Sequence, residues 1–223
     1  MKRRFDLVVF DLDGTLIDNR AAIRENFNYA LMKCGFPQLE DKKIDEMIGT
    51  PLVEMFERIL PPSKGDLVPK LVDTYVERYR DTSHIGTVVL DDVIPVLKEL
   101  RKDGFKLAVA TTKANDTVYP LLQRIGLHKY FDLATGRREE MRNKPHPDML
   151  NYVMRELDAK PERTVMVGDT PVDVLTARNA GIYIAVVTSS MRLGMTTLDK
   201  IREAKPDLII SSLRELLCNL YVQ

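Results

Sequence analysis

The chain is constrained most by the stretch Phe5-Asp6-Leu7-Val8-Val9-Phe10-Asp11-Leu12-Asp13-Gly14-Thr15-Leu16. Leu7 to Phe10 is a short apolar run of strand-forming residues, the pattern of a strand buried on both faces. It ends in two carboxylates, Asp11 and Asp13, and Gly14-Thr15 then breaks the strand. In an extended chain residues i and i+2 point the same way. Both acids can therefore face one small space at the carboxyl end of a buried strand, where open α/β sheets place their ligands. Carboxylates that close repel each other, so a cation must neutralise them or one must hold a proton. A calcium loop counted from Asp11 fails, because Gly14 comes too early and the twelfth position is Ala22. The chain also lacks the G-x-x-x-x-G-K-[ST] of a P-loop ATPase.

Downstream of Gly14 the apolar spacing becomes helical. Ile23, Phe27, Ala30, Leu31 and Cys34 share one face, Leu52 to Leu60 carry a second, and Leu67 to Tyr79 a third. Residues 18–83 are expected to form an inserted all-helical domain. Residues 1–17 and 84–223 then supply an alternation of helices and strands. Strands are expected at 105–112, 131–135, 164–167, 182–187 and 207–210, with helices at 91–102, 115–125, 147–157, 171–180 and 213–220. That alternation predicts a doubly wound, Rossmann-like parallel sheet, an α/β fold.

At 223 residues the chain is long enough for this arrangement. Lys plus Arg and Asp plus Glu are 33 each, so there is no electrostatic footprint of a general nucleic-acid binder. Cys34 and Cys218 make no C-x-x-C pair, which points to a reducing compartment without disulfides or a zinc site. No apolar run approaches membrane-spanning length, and the run behind Met1-Lys2-Arg3-Arg4 is too short for a signal peptide. A cytoplasmic protein is expected; the oligomeric state is not written in the sequence.

Four stretches fall at or just beyond strand ends. They are Asp11 to Thr15, Thr111-Thr112-Lys113, Asn143-Lys144-Pro145-His146-Pro147-Asp148, and Gly168-Asp169-Thr170-Pro171-Val172-Asp173. Asp11, Asp13, Asp169 and Asp173 together are too much negative charge to leave bare. Oxygen-only ligands suit magnesium, which takes one or two carboxylates plus a phosphate. Thr111 offers a hydroxyl, the turn after it backbone N–H groups, and Lys144 a point charge. The set reads as metal-assisted phosphoryl transfer.

These four motifs, in this order and spread over nearly the whole chain, resemble the haloacid dehalogenase superfamily of phosphatases, in its phosphoglycolate phosphatase-like branch. The resemblance implies that the inserted helical domain is a small movable cap. It implies Asp11 as nucleophile and Asp13 as proton donor and then acceptor. It implies Thr111 and the amide of Thr112 on the phosphoryl oxygens, and Lys144 beside Asp11 and the transferring group. It further implies Mg2+ bound by Asp11, the Asp13 carbonyl and Asp169, with Asp173 orienting that sphere. Ile48-Gly49-Thr50-Pro51-Leu52 resembles the cap loop that points at the active site, making Thr50 a substrate contact. The loop lacks the arginine that β-phosphoglucomutases carry there. None of Lys33, Lys42, Lys43 or Lys64 lies in the apolar helical stripe that a Schiff-base lysine needs. Dehalogenases generally lack the acid found here at position 13. The implied activity is Mg2+-dependent hydrolysis of a small phosphorylated metabolite. A β-phosphoglucomutase-like phosphotransferase, a pyrophosphatase or nucleotidase, and a non-catalytic binding protein are the alternatives. His146, His84 and His128 read as structural, Lys113 as a substrate contact or a turn cap with equal weight, and Ser189, Ser190, Met191 and Met195 as loop packing.

Overall fold

The structure, a computed structural model, describes residues 2–48, 50–188 and 197–221. The chain divides into two compact units, Met1–Asp18 with Val89–Gln223, and Asn19–Val88. The sequence put the return from the helical segment at 83/84; the contacts put it at 88/89, after the turn that follows the last long helix.

The first unit is built on six parallel strands in the order β5-β4-β1-β6-β7-β8. They are β1 (Leu7–Phe10), β4 (Lys106–Ala114), β5 (Leu133–Arg137), β6 (Thr164–Gly168), β7 (Tyr183–Val187) and β8 (Leu208–Ile210). β1 is central, with Phe10 opposite Val109 of β4 and Val167 of β6. Its four side chains are fully buried, each contributing roughly 1.5–3 kcal/mol. Alternation splits them between two layers. Val8 and Phe10 join a core with α5 (Val93–Lys102), α6 (Asn115–Arg124) and α10 (Leu213–Asn219). Leu7 and Val9 join another with α7 (Asp148–Glu156), α8 (Pro171–Asn179) and α9 (Leu198–Ala204). This is the doubly wound α/β sheet that the sequence pattern predicts.

Several details differ from the sequence expectation. The strand expected at 131–135 runs instead from Leu133 to Arg137. Asp132 is spent on accepting a hydrogen bond from the Leu107 amide at 2.8 Å. Gly136 lets the strand continue, since a Cβ there would sit 2.4 Å from the Lys113 carbonyl oxygen. Helix α9 was not expected; Ile201 is its one buried residue, so it carries no apolar periodicity to stand out. Pro147 is not the first residue of α7 but precedes it. Two short strands, β2 (Ile17–Asp18) and β3 (Val88–Val89), pair with each other where the chain passes between the units. Ser189, Ser190, Met191 and Met195 lie outside the described residues.

The second unit is helical: α1 (Arg20–Lys33), α2 (Asp41–Asp45), α3 (Leu52–Ile59) and α4 (Val68–Thr82). Its core contains Leu31, Ile44, Leu71 and the stacked rings of Phe27 and Phe56, 4.4 Å apart. Among the described residues no helix is long and apolar enough to cross a membrane.

Candidate active site

The strand register sets the geometry. Asp11 leaves β1 one residue beyond Phe10, and its amide donates to the Val167 carbonyl at 2.8 Å. Asp169 stands two residues beyond Val167 on the neighbouring strand, and Thr111 two beyond Val109 on the other. Carboxylate oxygens of Asp11, Asp169 and Asp173 gather within 4.8 Å of one another, and all three residues are buried.

Lys144 enters this cluster from the loop before α7. Its Nζ donates to Asp11 Oδ1 at 2.6 Å and to Asp173 Oδ1 at 2.8 Å, with only 2% of the side chain exposed. Burial opposes its charge most strongly, but the two carboxylates overcome this and hold the ammonium protonated, raised above the ordinary lysine range.

Asp173 is fixed by local sequence as well. It sits at the third position of α8 and closes a capping box with Thr170. Its Oδ2 accepts from the Thr170 hydroxyl at 2.7 Å, the Thr170 amide at 3.1 Å and the Asp169 amide at 3.2 Å. Gly168 provides the room, because a Cβ there would lie 2.5 Å from Asp173 Cβ. Burial disfavours the Asp173 anion, but Lys144 and the Thr170 hydrogen bonds prevail and lower its pKa.

Asp169 is held differently. Its Oδ1 accepts from the Thr15 hydroxyl at 2.9 Å, and its Oδ2 is buried without a hydrogen-bond partner among the described residues. Burial first, then the charges of Asp173 and Asp11, push its pKa well up. Asp11 is raised to about 7 by burial, against the pull of Lys144.

Among the described residues, three carboxylates therefore face one ammonium in this cluster, with the Asp169 Oδ2 oxygen unsatisfied. This donor set fits a hard divalent cation, which would take the orphaned Asp169 oxygen as ligand and balance the excess charge. Gly14, at φ +78°, keeps the space beside that oxygen clear: a Cβ there would be 2.3 Å from it.

The remaining sequence candidates fall as follows. The Asp13 carboxylate is outside the three-acid cluster; its Oδ2 pairs with Lys113 Nζ at 3.2 Å. Thr111 is buried and its hydroxyl accepts from the Lys113 amide at 3.4 Å, while Thr112 is exposed. Thr50 belongs to the helical unit, where its hydroxyl donates to the Met47 carbonyl at 2.5 Å. His146 is exposed in the Lys144 loop. The structure adds Thr170, for which the Thr170-x-x-Asp173 capping pattern was the available signal. It also gives Thr15, which the sequence reading took only as part of the strand-ending turn, a hydrogen bond to Asp169.

The first unit is thus a doubly wound α/β sheet that carries a lysine-bridged acid cluster at the ends of its central strands. Residues 8–187 match the family described as "Haloacid dehalogenase-like hydrolase". The chain is 35% identical over 212 residues to "Pyrophosphatase PpaX" of Halalkalibacterium halodurans, covering 94% of each protein. It is 36% identical to "Probable phosphatase IndB" of Dickeya dadantii, covering 94% of this chain and 90% of that protein. A solved haloacid dehalogenase-like family hydrolase from Streptococcus pneumoniae superposes with a TM-score of 0.84 at 27% identity, covering 97% of this chain and 98% of that one. The chain belongs to the haloacid dehalogenase-like hydrolase family and is an enzyme of its phosphatase class.

Proposed function

We propose that the protein is a Mg2+-dependent phosphatase of small phosphorylated metabolites that works through a phosphoryl group carried on Asp11. The observation that carries the reading is the buried pairing of Lys144 with both Asp11 and Asp173, beside an Asp169 oxygen that lacks a partner among the described residues. Asp11 and Asp169, with the Asp13 carbonyl, would hold the metal; Asp173 keeps Lys144 and the α8 turn in place. When bound, Mg2+ supplies positive charge that offsets the approach of a phosphate dianion to a carboxylate.

Asp11 attacks phosphorus, and the bond to the leaving oxygen breaks. The electron pair goes to that oxygen, which takes the proton from Asp13. Asp13, now a carboxylate, takes a proton from water as the water oxygen bonds to phosphorus. The phosphorus–oxygen bond to Asp11 then breaks, releasing inorganic phosphate. Thr111 and the Thr112 amide bind the phosphoryl oxygens, and Lys144 keeps Asp11 oriented and shares the transferred charge. Thr50 enters this reading as a substrate contact from the family resemblance alone, as does the role of the helical unit as a substrate-selecting cap. Two free cysteines agree with a reducing, cytoplasmic setting.

A phosphomonoester such as phosphoglycolate is the first substrate class. Pyrophosphate is the second, favoured by the 35% identity to a protein named pyrophosphatase. Phosphate release from phosphoglycolate, sugar phosphates, nucleotides and pyrophosphate, ranked by kcat/KM with Mg2+ and with EDTA, tests both. Turnover confined to Mg2+ supports the reading; release from none of them, or release undiminished by EDTA, refutes it.

A further inference from the structure

We infer that Lys113 is a positioning residue for Asp13, holding one carboxylate oxygen so that the other is the one that moves the proton. The inference rests on the acid role of Asp13 proposed above and assigns the chain's own device for orienting it.

Lys113 reaches Asp13 because β4 departs from regular pairing at this point. Ala110 pairs with Thr135 and Ala114 with Arg137, so four steps on β4 match two on β5. The irregularity falls on Thr111-Thr112-Lys113. Bulges of this kind bend a strand and re-aim its side chains, and they gather near active sites. Gly136 allows it, since any Cβ at that residue would lie 2.4 Å from the Lys113 carbonyl oxygen. The Gly136 amide in turn donates to Asn115 Oδ1 at 3.0 Å, and the Lys113 amide to Thr111 Oγ1 at 3.4 Å. The Lys113 amide is thus tied to Thr111, and its carbonyl lies close against Gly136.

The side chain is 9% exposed, so the long aliphatic stem is packed. Its Nζ lies 3.2 Å from Asp13 Oδ2, while Asp13 Oδ1 is buried with no hydrogen-bond partner among the described residues. The two oxygens of one carboxylate are therefore unequal. Oδ2 is anchored on a cation, and Oδ1 is left without a partner among the described residues. A proton donor that must face the leaving oxygen needs this asymmetry: a carboxyl free to rotate presents its proton in the productive direction only part of the time. Lys113 touches neither phosphorus nor the leaving oxygen in this account; it acts through Asp13.

The test separates positioning from general structural support. For the full chain with Mg2+, kcat/KM reports the steps through phosphoryl transfer to Asp11. A p-nitrophenolate leaves with little need of a proton, whereas the alkoxide of glycerol phosphate depends on one. Asp13→Asn is expected to lose on the order of 10²-fold more on glycerol phosphate than on p-nitrophenyl phosphate. Lys113→Met is expected to show the same selectivity at smaller size, with the loss on glycerol phosphate exceeding that on p-nitrophenyl phosphate by about tenfold. Lys113→Arg, which keeps a cation in reach of Oδ2, is expected to recover most of it. Lys113→Gln, read the same way, replaces the methionine variant if that protein does not fold. Equal losses on both substrates, or none on either, in a folded Lys113 variant overturn the assignment while the Asp13 selectivity stands. An Asp13→Asn protein with no leaving-group selectivity overturns the acid role itself.

Discussion

Gly14→Ala should destabilise the fold and also weaken the metal position. At φ +78° the residue is in the left-handed region, which costs an L-residue roughly 1–2 kcal/mol. The added methyl would also lie 2.3 Å from Asp169 Oδ2 and 2.8 Å from its Cγ. Asp169 cannot swing away freely, because it is buried and its Oδ1 is tied to Thr15. Forcing it off its rotamer adds roughly 0.5–1.5 kcal/mol. The total, about 2–3 kcal/mol, would be read by urea unfolding in EDTA. The second readout is the stabilisation by Mg2+. At a hundredfold excess over Kd, a ligand that binds only the native state adds about 2.7 kcal/mol. A tenfold weakening through the displaced Asp169 would remove about 1.4 kcal/mol of that increment. A variant within about 0.5 kcal/mol of the parent, with an unchanged Mg2+ increment, would refute the claim that Gly14 keeps this space open.

Two further perturbations probe the same cluster. Lys144→Met leaves Asp11 and Asp173 buried without their cation, so a loss of about 3–5 kcal/mol is expected in EDTA, measured by urea unfolding; a loss under about 1 kcal/mol would contradict the buried pairing. Stability in EDTA should also fall as pH rises. Asp11, raised to about 7, and Asp169, raised well up, bind protons in the folded state that the unfolded chain has already lost. The native state therefore holds more protons from the ordinary aspartate range up to about pH 7, and unfolding free energy declines across that window. Asp173 runs the other way, but its stabilising contribution is lost only as pH falls through its lowered pKa, below the window. Urea unfolding at about pH 5 and about pH 8 would check this, and equal or greater stability at the higher value would contradict it. Because Mg2+ must displace the proton on Asp11, its affinity should rise over the same interval, measurable by titration calorimetry.

The α/β core was legible because each strand end carries its own signal. Leu7 to Phe10 is apolar throughout and stops at acids, and Thr164 to Val167 does the same before Gly168-Asp169. Asp11, Asp169, Asp173 and Lys144 could be nominated because buried acids at strand ends need a counter-charge wherever the chain supplies it. The lysine that Asp13 meets was not legible. Asp13 and Asp11 are two residues apart, yet one pairs with Lys113, on the stretch of β4 where the register to β5 shifts, and the other with Lys144. The Thr15 hydrogen bond to Asp169 joins residues far apart in sequence and leaves no local pattern. The end of β5 was misplaced for a related reason, since Asp132 and Gly136 act through contacts with β4 and the residues that follow it rather than through their own propensity.

The central claim is that Asp11 takes the phosphoryl group. The direct measurement is an acid-quenched turnover with Mg2+ and substrate, followed by mass spectrometry of proteolytic peptides. The account predicts a phosphoryl mass on the peptide containing Asp11, absent from an Asp11→Asn protein that also fails to turn over. A phosphoryl group on another residue, or undiminished turnover by Asp11→Asn, would contradict it.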